Sequence, residues 1–209
     1  RSTGQCCVSS SRLIVERSVA DEFERILAAK MEKIVVGDPL DEATQVGAIT
    51  TAAQNDTILS YIAKGKAEGA RVVTGGGALD LGRGSYIAPT LFSGVTREMS
   101  IARDEIFGPV LSSFRFDTVE EAIRIANDTV YGLAASVWTK NIDTALTVSR
   151  RVRAGRFWVN CIMAGGPEMP LGGFKQSGWG REAGTYGVEE YTQVKSVHVE
   201  IGKRSHWIG

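Results

Sequence analysis

Two apolar patterns alternate along the chain, and this alternation limits the fold more than any other feature of the sequence. Short apolar runs typical of buried strands are separated by stretches whose apolar residues recur at helical spacing. The runs that predict strands are RLIV (12–15), ARVVTGG (70–76), YIAPTLF (86–92), VLSSFRF (110–116), LAASVWT (133–139) and RFWVN (156–160). Strand–helix–strand alternation builds a mostly parallel sheet with helices on both faces, so the sequence predicts an α/β fold that is three-layered and doubly wound.

The first predicted helix follows the run RLIV. Ser18 and Asp21 have the spacing of a capping box, which marks the start of a helix. The apolar residues that then recur at helical spacing are Val19, Phe23, Ile26, Leu27 and Ile34. The sequence Gly37-Asp38-Pro39 is predicted to end this helix, because proline cannot continue it.

Three more helices are predicted further along the chain. The second covers about residues 51–68 and stops at Gly69. The third begins at a capping box formed by Thr118 and Glu121, and the fourth lies within residues 142–155. The apolar residues predicted to face inward from the second helix are Ile58, Leu59 and Ile62.

Two C-terminal segments interrupt the alternation. Residues 163–187 contain too many glycines and prolines for regular elements and are predicted to form an ordered loop system. The segment YTQVKSVHVE (191–200) then alternates with period two, which favours an extended strand at the edge of a sheet. A terminal edge strand often pairs with another chain.

The charge and cysteine content exclude several classes of protein. Lys+Arg and Asp+Glu both number 24, so no net positive field indicates binding to nucleic acid or to an anionic membrane. The three cysteines, Cys6, Cys7 and Cys161, favour reduced, intracellular chemistry over a disulfide framework. They have no metal-ligand spacing with His198 or His206, so no metal site is predicted.

Three segments carry candidate chemistry. Cys7 lies among small residues in GQCCVSSS, where a carbonyl substrate has room to approach. In DEIFGPV, the carboxylate of Glu105 suits a ribose diol and the ring of Phe107 suits a flat ligand. The glycine-rich PLGGFKQSGWGRE (170–182) suits a phosphate but has no P-loop or dinucleotide fingerprint. Residue type alone favours an inert thiol at Cys7 and a core ring at Phe107.

These segments, taken in order, resemble the C-terminal half of aldehyde dehydrogenase superfamily subunits. GQCC is similar to the family's nucleophile motif Gly-Gln-any-Cys, which selects Cys7 rather than Cys6, and EIFGPV is similar to its cofactor-facing segment. NDTVYGLAASVWT, WVN and PLGGFKQSGWGRE follow in family order. Five motifs in register favour a working thiol at Cys7 over the inert one.

The resemblance implies the oxidation of an aldehyde to a carboxylic acid with NAD or NADP. Cys7 is then the nucleophile, and its backbone N–H helps to hold the developing oxyanion. Glu105 binds the nicotinamide-side ribose, Phe107 borders the nicotinamide, and Gln54 contacts the same end of the cofactor. Glu182, in the GRE triplet, matches an acid that relays protons in some members.

The resemblance also predicts the domain organisation. Residues 1–190 form the catalytic domain, and residues 191–209 form an arm whose strand makes a homo-oligomer. The family's ELGGK-like general base, the asparagine of its oxyanion hole and its cofactor-binding domain are absent from this chain. We therefore expect a cytoplasmic enzyme of which these residues are a fragment that is inactive alone, with a small aldehyde as its substrate.

Substrate class and mechanism leave alternatives open. The stretch GPEMP most resembles members that act on betaine aldehyde or amino-aldehydes, with Gly165 and Leu171 where other branches have aromatic residues. A potassium site at Lys175 and Gly178, as some of those members have, is not predicted. The first alternative function is a thiol hydrolase or acyltransferase that depends on Cys7 and a histidine, and the second is a non-catalytic assembly module.

Overall fold

A computed structural model describes residues 2–202 and contains the predicted alternation of strands and helices. In this part of the chain the strands are β1 (Arg12–Glu16), β2 (Arg71–Thr74), β3 (Ala78–Leu79), β4 (Tyr86–Ile87), β5 (Thr90–Ser93), β6 (Val110–Phe116), β7 (Tyr131–Gly132), β8 (Ala134–Val137), β9 (Arg156–Val159) and β10 (Phe174–Lys175). The α-helices are α1 (Arg17–Met31), α2 (Ala52–Ala67), α3 (Ser100–Arg103), α4 (Val119–Asn127), α5 (Ile142–Arg151) and α6 (Gly184–Glu189).

The central sheet has the strand order β1-β6-β5-β2. Strands β1, β6 and β5 are parallel, whereas β2 runs antiparallel to β5 at one edge. Strands β8 and β9 form a separate parallel pair, and β3-β4 and β7-β10 form short antiparallel pairs. The prediction of a mostly parallel sheet is therefore confirmed for the central sheet.

Helices cover both faces of this sheet. Along β6, Ser113 faces α1, where its hydroxyl donates to the carboxylate of Glu24 at 2.8 Å. The neighbouring Ser112 points to the other face and donates to the Ile101 carbonyl of α3 at 2.9 Å. Because successive side chains of a strand alternate between faces, α1 lies on one side of the sheet and α3 on the other. The predicted three-layer arrangement is confirmed.

The main apolar core lies between the sheet and helices α2 and α3. Ile58 and Ile62 of α2 are 0% and 2% exposed, as the helical spacing predicted, whereas Leu59 is only partly buried. They pack with Phe92 of β5 and Phe114 of β6. Burial of a side chain of this size contributes about 1.5–3 kcal/mol, so this layer is a major source of stability.

Helix α1 begins and ends differently from the prediction. Its N-cap is Glu16, and Ser18 donates to the Glu16 carboxylate instead of capping the helix, so the predicted capping box is wrong. The helix ends at Met31, before Gly37, because the chain turns at Lys33 and then runs extended. The carbonyl of Val35 there accepts hydrogen bonds from the backbone of residues 45–46.

The buried face of α1 is not its most apolar one. Val19, Phe23 and Ile26 are between 42% and 51% exposed. The buried residues are Ala20, Glu24 and Ala28. The helix packs on the sheet through small residues and one hydrogen-bonded carboxylate, which the apolar spacing did not reveal.

Other element boundaries follow from local chemistry. The predicted strand YIAPTLF is divided into β4 and β5 at Pro89, which has no N–H to donate to a ladder. Helix α2 is capped by Thr51 and followed by Gly69 with φ of 97°, as predicted. Thr118 accepts from the Glu121 N–H, while the Glu121 carboxylate accepts from the Asp117 N–H, one residue before the expected partner.

The C-terminal part follows the prediction for the glycine-rich loops. Residues 163–187 contain only β10, an isolated bridge between Leu171 and Glu182, and the start of α6. Residues 192–202 are exposed and pair with no strand within the described part of the chain, so the predicted intermolecular strand stays a prediction. None of the helices described here is long and apolar enough to cross a membrane.

Candidate active site

The segment before Cys7 is a single tight turn with unusual backbone geometry. Ser2, Thr3 and Gly4 all have positive φ, between 50° and 70°. The turn leads into a loop in which Cys7 is exposed, while Cys6 and Cys161 are only partly exposed. The backbone N–H of Cys7 donates to no acceptor within residues 2–202. This loop therefore presents both a thiol and an unused donor.

Gly4 brings this turn against the segment EIFGPV. A Cβ at position 4 would overlap the carbonyl of Gly108 and the nitrogen of Pro109. Any residue larger than glycine would separate the two backbones, and its side chain would also disfavour the φ of 70°. The loop that carries Cys7 and the segment that carries Glu105 are thus in direct backbone contact.

The side-chain amide of Gln5 connects the thiol loop to the segment that precedes α2. Its Oε1 accepts hydrogen bonds from the backbone N–H and the hydroxyl of Thr50, both at 2.9 Å. Its Nε2 donates to the Ala48 carbonyl at 3.5 Å, and the Thr3 hydroxyl donates to the Gly47 carbonyl at 3.2 Å. These bonds hold the loop against residues distant in sequence.

The side-chain amide of Gln54 connects α2 to the segment EIFGPV. Its Nε2 donates to the carbonyls of Ile106 and Phe107 at 2.9 and 3.1 Å. The sequence predicted that Gln54 contacts a cofactor, which stays a prediction. The structure gives its amide a further role, because these bonds fix the backbone on which Glu105 and Phe107 stand.

Glu105 and Phe107 are both exposed, and Ile106 between them is only 5% exposed. Phe107 has a φ of 54°, a conformation that is rare for an aromatic residue and is held by the bonds from Gln54. Glu105 has no hydrogen bond or ion pair with another residue in the 2–202 range. The buried Ile106 anchors the segment, while the carboxylate of Glu105 and the ring of Phe107 remain available to a ligand.

A cavity of about 520 Å³ lies on the other side of the thiol loop. Cys6 and Val8, which flank Cys7, line it together with Arg156, Trp158 and Glu182. The two backbone bonds between Leu171 and Glu182, both 2.7 Å, fix the strand-like bridge on which Glu182 stands. Glu182 and the two residues that flank Cys7 therefore line the same cavity.

Two sequence hypotheses concern residues that do not line this cavity. His198 lies in the exposed C-terminal segment, and His206 lies outside the described residues. Lys175 donates through Nζ to the carbonyls of Asn127 and Thr129 at 2.9 and 3.0 Å. Burial is the main cause of its lowered pKa, and the neighbouring cations Arg153 and Arg12 lower it further. In residues 2–202, no group of three or more His, Cys, Asp or Glu residues could hold a metal ion.

Sequence reasoning missed the connecting residues of the site. Gln5 was noted only as part of a motif, and neither Thr50 nor Arg156 was singled out. Arg156 is the first residue of the strand-like run RFWVN. A charged residue that precedes three apolar ones in this way indicates a guanidinium at the edge of a pocket. The Gln5–Thr50 pair has no local signal, because its members are 45 residues apart.

The loop with the exposed thiol lies at one edge of the sheet in a three-layer α/β fold, in backbone contact with the segment that bears an exposed carboxylate and an exposed ring. The chain belongs to the aldehyde dehydrogenase family, whose sequence model matches residues 1–197. It is 49% identical over 202 residues to aldehyde dehydrogenase, cytosolic 2, of Macroscelides proboscideus, covering 97% of this chain and 84% of that protein. It is 48% identical to betaine aldehyde dehydrogenase 1 of Rhizobium meliloti, covering 96% of this chain.

Solved structures of relatives have the same fold. A crystal structure of an NAD-dependent aldehyde dehydrogenase from Sinorhizobium meliloti is 48% identical, with a TM-score of 0.93 over 98% of this chain. A betaine aldehyde dehydrogenase from Staphylococcus aureus, in complex with NAD+, is 38% identical with a TM-score of 0.88 over 90% of this chain. The chain spans only 41% and 38% of these two proteins, and 42% of the Rhizobium enzyme.

Proposed function

We propose that the chain forms the nucleophile-bearing part of an NAD(P)-dependent aldehyde dehydrogenase, with Cys7 as the nucleophile. The observation that carries this proposal is the contact of Gly4 with Gly108 and Pro109. It joins the exposed thiol loop to the segment bearing Glu105 and Phe107, so a substrate carbonyl and a nicotinamide can meet at one place. The family membership supports the same chemistry.

The chain's own residues supply the covalent steps. The Cys7 thiol gives its proton to solvent, its sulfur adds to the aldehyde carbon with formation of an S–C bond, and the C=O π pair moves onto oxygen. The unused backbone N–H of Cys7 donates to that oxygen and stabilises its charge. Glu105 and Phe107 would hold NAD(P)+, which would supply the hydride acceptor for this carbon, and loss of the hydride would leave a thioester on Cys7.

Water then completes the reaction. It attacks the thioester carbon, the C–S bond breaks, and the carboxylic acid leaves while the Cys7 sulfur departs as a thiolate. The water must lose a proton during this step, and the exposed carboxylate of Glu182 faces the same cavity as the residues that flank Cys7. We assign Glu182 the relay of that proton to solvent.

The cofactor-facing residues fit a nicotinamide nucleotide by their chemistry. Glu105 offers two acceptor oxygens without a partner in the described chain, which suits the two hydroxyls of a ribose. Phe107 is 39% exposed, so one part of its ring is free to border a flat ring. The relative from Staphylococcus aureus is in complex with NAD+, which supports the same cofactor class here.

The test uses a chimaera in which this chain replaces the matching 41% of the Sinorhizobium meliloti enzyme. We expect NADH formation from an aldehyde, lost in the Cys7→Ala variant and retained in the matched Cys6→Ala control. Turnover that survives Cys7→Ala, or that is lost only in Cys6→Ala, would overturn the proposal. The 209 residues alone are expected to form no NADH, because the general base implied by the family resemblance is not among them.

Two outcomes with the isolated chain distinguish the alternatives. Thioester hydrolysis without nicotinamide, lost on replacing His198 or His206, would identify a thiol hydrolase or acyltransferase. Labelling of Cys161 in preference to Cys7 by iodoacetamide would argue against a reactive Cys7. An assembly module without catalysis predicts that Cys7→Ala changes nothing except the label.

The proposal also covers the substrate class, the location and the assembly of the protein. Relatives named for betaine aldehyde and relatives named aldehyde dehydrogenase 1A1 are similarly identical to this chain, at 46–48%. A small aldehyde is therefore the proposed substrate class. We propose a cytoplasmic homo-oligomer, assembled through residues 191–202, without nucleic acid or membrane partners, and one relative is named as cytosolic.

A further inference from the structure

Arg156 stands on the wall of the cavity beside the thiol loop. It is the first residue of β9, and Trp158 follows on the same face of that strand. The guanidinium carbon lies 5.3 Å from the centroid of the Trp158 ring, so the ring supports one face of the planar cation. Both residues line the cavity with Cys6 and Val8. A guanidinium is thus held on the same cavity as the two residues that flank the proposed nucleophile.

The donors of Arg156 are poorly used by the protein. Nη2 donates one long hydrogen bond, of 3.3 Å, to the carbonyl of Ala164. Nε is shielded from solvent and has no hydrogen-bond partner. Within residues 2–202, Arg156 takes part in none of the ion pairs. Since a guanidinium has five N–H donors, most of its capacity to bind an anion is left over.

This unpaired cation points to the charge of the substrate. We propose that Arg156 forms a subsite for an anionic group, so that the cavity prefers aldehydes that carry a carboxylate. This inference rests on the proposed role of Cys7, because the aldehyde must reach that sulfur. The planar fork of arginine matches a carboxylate in two parallel hydrogen bonds. Betaine aldehyde, which carries a trimethylammonium group, has the opposite charge.

Glu182 is the acid that shares the cavity lining with Arg156. The two side chains are not an ion pair, so Glu182 does not neutralise the guanidinium by direct contact. Its carboxylate would repel a nearby anion, and the preference therefore depends on the ligand reaching Arg156 more closely than Glu182. Replacing Glu182 by glutamine is expected to strengthen the binding of an anionic aldehyde.

The test follows the reversible addition of aldehydes to Cys7, which needs no cofactor. The thiol S–H adds across the C=O bond, the S–C bond forms, and the proton passes to oxygen. This adduct protects Cys7 from iodoacetamide, and mass spectrometry of the peptide measures the protection. The probes are succinic semialdehyde, butanal and trimethylammonio-butanal, which share a four-carbon chain and differ in charge. The protein is the 209-residue chain.

We expect succinic semialdehyde to protect Cys7 at a concentration at least about tenfold lower than butanal does, from the contribution of hydrogen bonds between charged groups. Arg156→Met is expected to remove this difference while keeping an apolar chain over Trp158, and Arg156→Lys is expected to keep part of it. Arg153→Met is the matched control, since it removes the same charge three residues earlier without altering the cavity lining.

The outcomes separate this inference from the proposed function. If all three aldehydes protect Cys7 equally, or the trimethylammonium compound protects best, the anionic subsite is wrong and the nucleophile stands. If iodoacetamide labels Cys7 but no aldehyde protects it, both are overturned. The wild-type comparison among the three probes needs no variant, so it stays decisive even if Arg156→Met does not fold.

Discussion

At the scale of single residues, two glutamine side chains hold the candidate site together. Gln5 binds the thiol loop to Thr50, and Gln54 binds the start of α2 to the carbonyls of Ile106 and Phe107. Because Gln5 bonds to Thr50 and Gln54 itself belongs to α2, a displacement of the start of α2 would move the thiol loop and residues 106–107 together. The spacing between these two segments therefore depends on two neutral amides.

Replacing Gln54 by leucine tests this connection. The variant loses two hydrogen bonds to the backbone of residues 106–107, and we expect the free energy of unfolding to fall by about 1–2 kcal/mol. Hydrogen exchange at residues 106–110 should also become faster. Denaturant unfolding and exchange mass spectrometry measure the two effects. Gln193→Leu, in the exposed C-terminal segment, is the control, and equal midpoints for both variants would contradict the prediction.

Glu24 is the second residue whose removal has a defined consequence. Its carboxylate, on a residue only 2% exposed, accepts hydrogen bonds from Ser93 and Ser113 at 2.8 Å and from Arg115 at 3.0 Å. Glu24→Ala leaves the hydroxyls of Ser93 and Ser113 without this acceptor between α1 and the sheet, whereas Arg115 keeps Asp21 as a partner at 2.7 Å. We expect a loss of about 2–4 kcal/mol in denaturant unfolding, because a buried polar group left unsatisfied costs about 1–3 kcal/mol. Glu22→Ala, on the exposed side of the same helix, should leave the midpoint unchanged.

The residues of the site differ in how well the sequence reveals them. Cys7, Glu105 and Phe107 stand in short motifs whose residue types match their chemistry, and the structure puts both motifs on exposed, contacting loops. The Gln5–Thr50 bond was not predictable, since it depends on the path of the chain between residues 5 and 50. Local sequence encodes the reacting groups, and tertiary packing determines what holds them.

At the scale of elements, α1 shows why periodicity predicts a helix better than it predicts the buried face. Its apolar residues at Val19, Phe23 and Ile26 are spaced as on one helical face but are largely exposed. The sheet below offers the hydroxyls of Ser93 and Ser113 instead, so a carboxylate at Glu24 packs there. The strand β6 was predicted correctly from VLSSFRF, in which valine and two phenylalanines favour a strand.

An ion pair joins the start of α1 to the end of β6 and makes this junction sensitive to pH. Arg17 donates to both oxygens of Asp117, at 2.7 and 3.0 Å. The hydrogen bond from Arg17 is the main cause of the lowered pKa of Asp117. The pKa of Asp117 is thus lower in the folded protein than in the unfolded chain. At pH values above the unfolded pKa the pair contributes its full stabilisation. This contribution is lost as the pH falls through the folded pKa.

Arg17→Gln is therefore expected to destabilise the protein slightly at neutral pH and not at all once Asp117 is protonated. Denaturant midpoints of wild type and variant, measured across the acid range, should converge as the pH falls. The effect should also shrink in high salt, because the pair is exposed. Arg124→Gln, which removes a cation that forms no ion pair within residues 2–202, should show no such convergence. A constant difference at every pH would contradict the assignment.

At the scale of the whole molecule, the layered fold explains why distant motifs meet. Strands β1, β5 and β6 are parallel neighbours, so the segments that enter them, including residues 2–11 and 104–109, lie at the same edge of the sheet. Gly4 then allows these entering segments to touch. The alternation of strands and helices predicted this edge, whereas the contact itself required glycine at position 4.

The C-terminal segment provides the last prediction, which concerns assembly. Val197, Val199 and Ile201 alternate with polar residues and are between 68% and 93% exposed. An exposed, alternating segment of this kind gains backbone hydrogen bonds and apolar burial when it pairs with the sheet of another copy. We therefore expect light scattering to report a mass above that of one 22.5 kDa chain, rising with concentration.

Two variants test the pairing through its backbone and its apolar face. Val199→Pro removes an N–H and a strand conformation, and Val197→Lys places a charge on the apolar face, so both should shift the mass toward 22.5 kDa. Glu200→Lys is the control, because it changes charge on the alternate face of the same segment. Wild-type protein that remains a monodisperse monomer at high concentration would refute the pairing. Assembly that survives both Val199→Pro and Val197→Lys would place the contact elsewhere, since neither the backbone nor the apolar face of this segment would then be required.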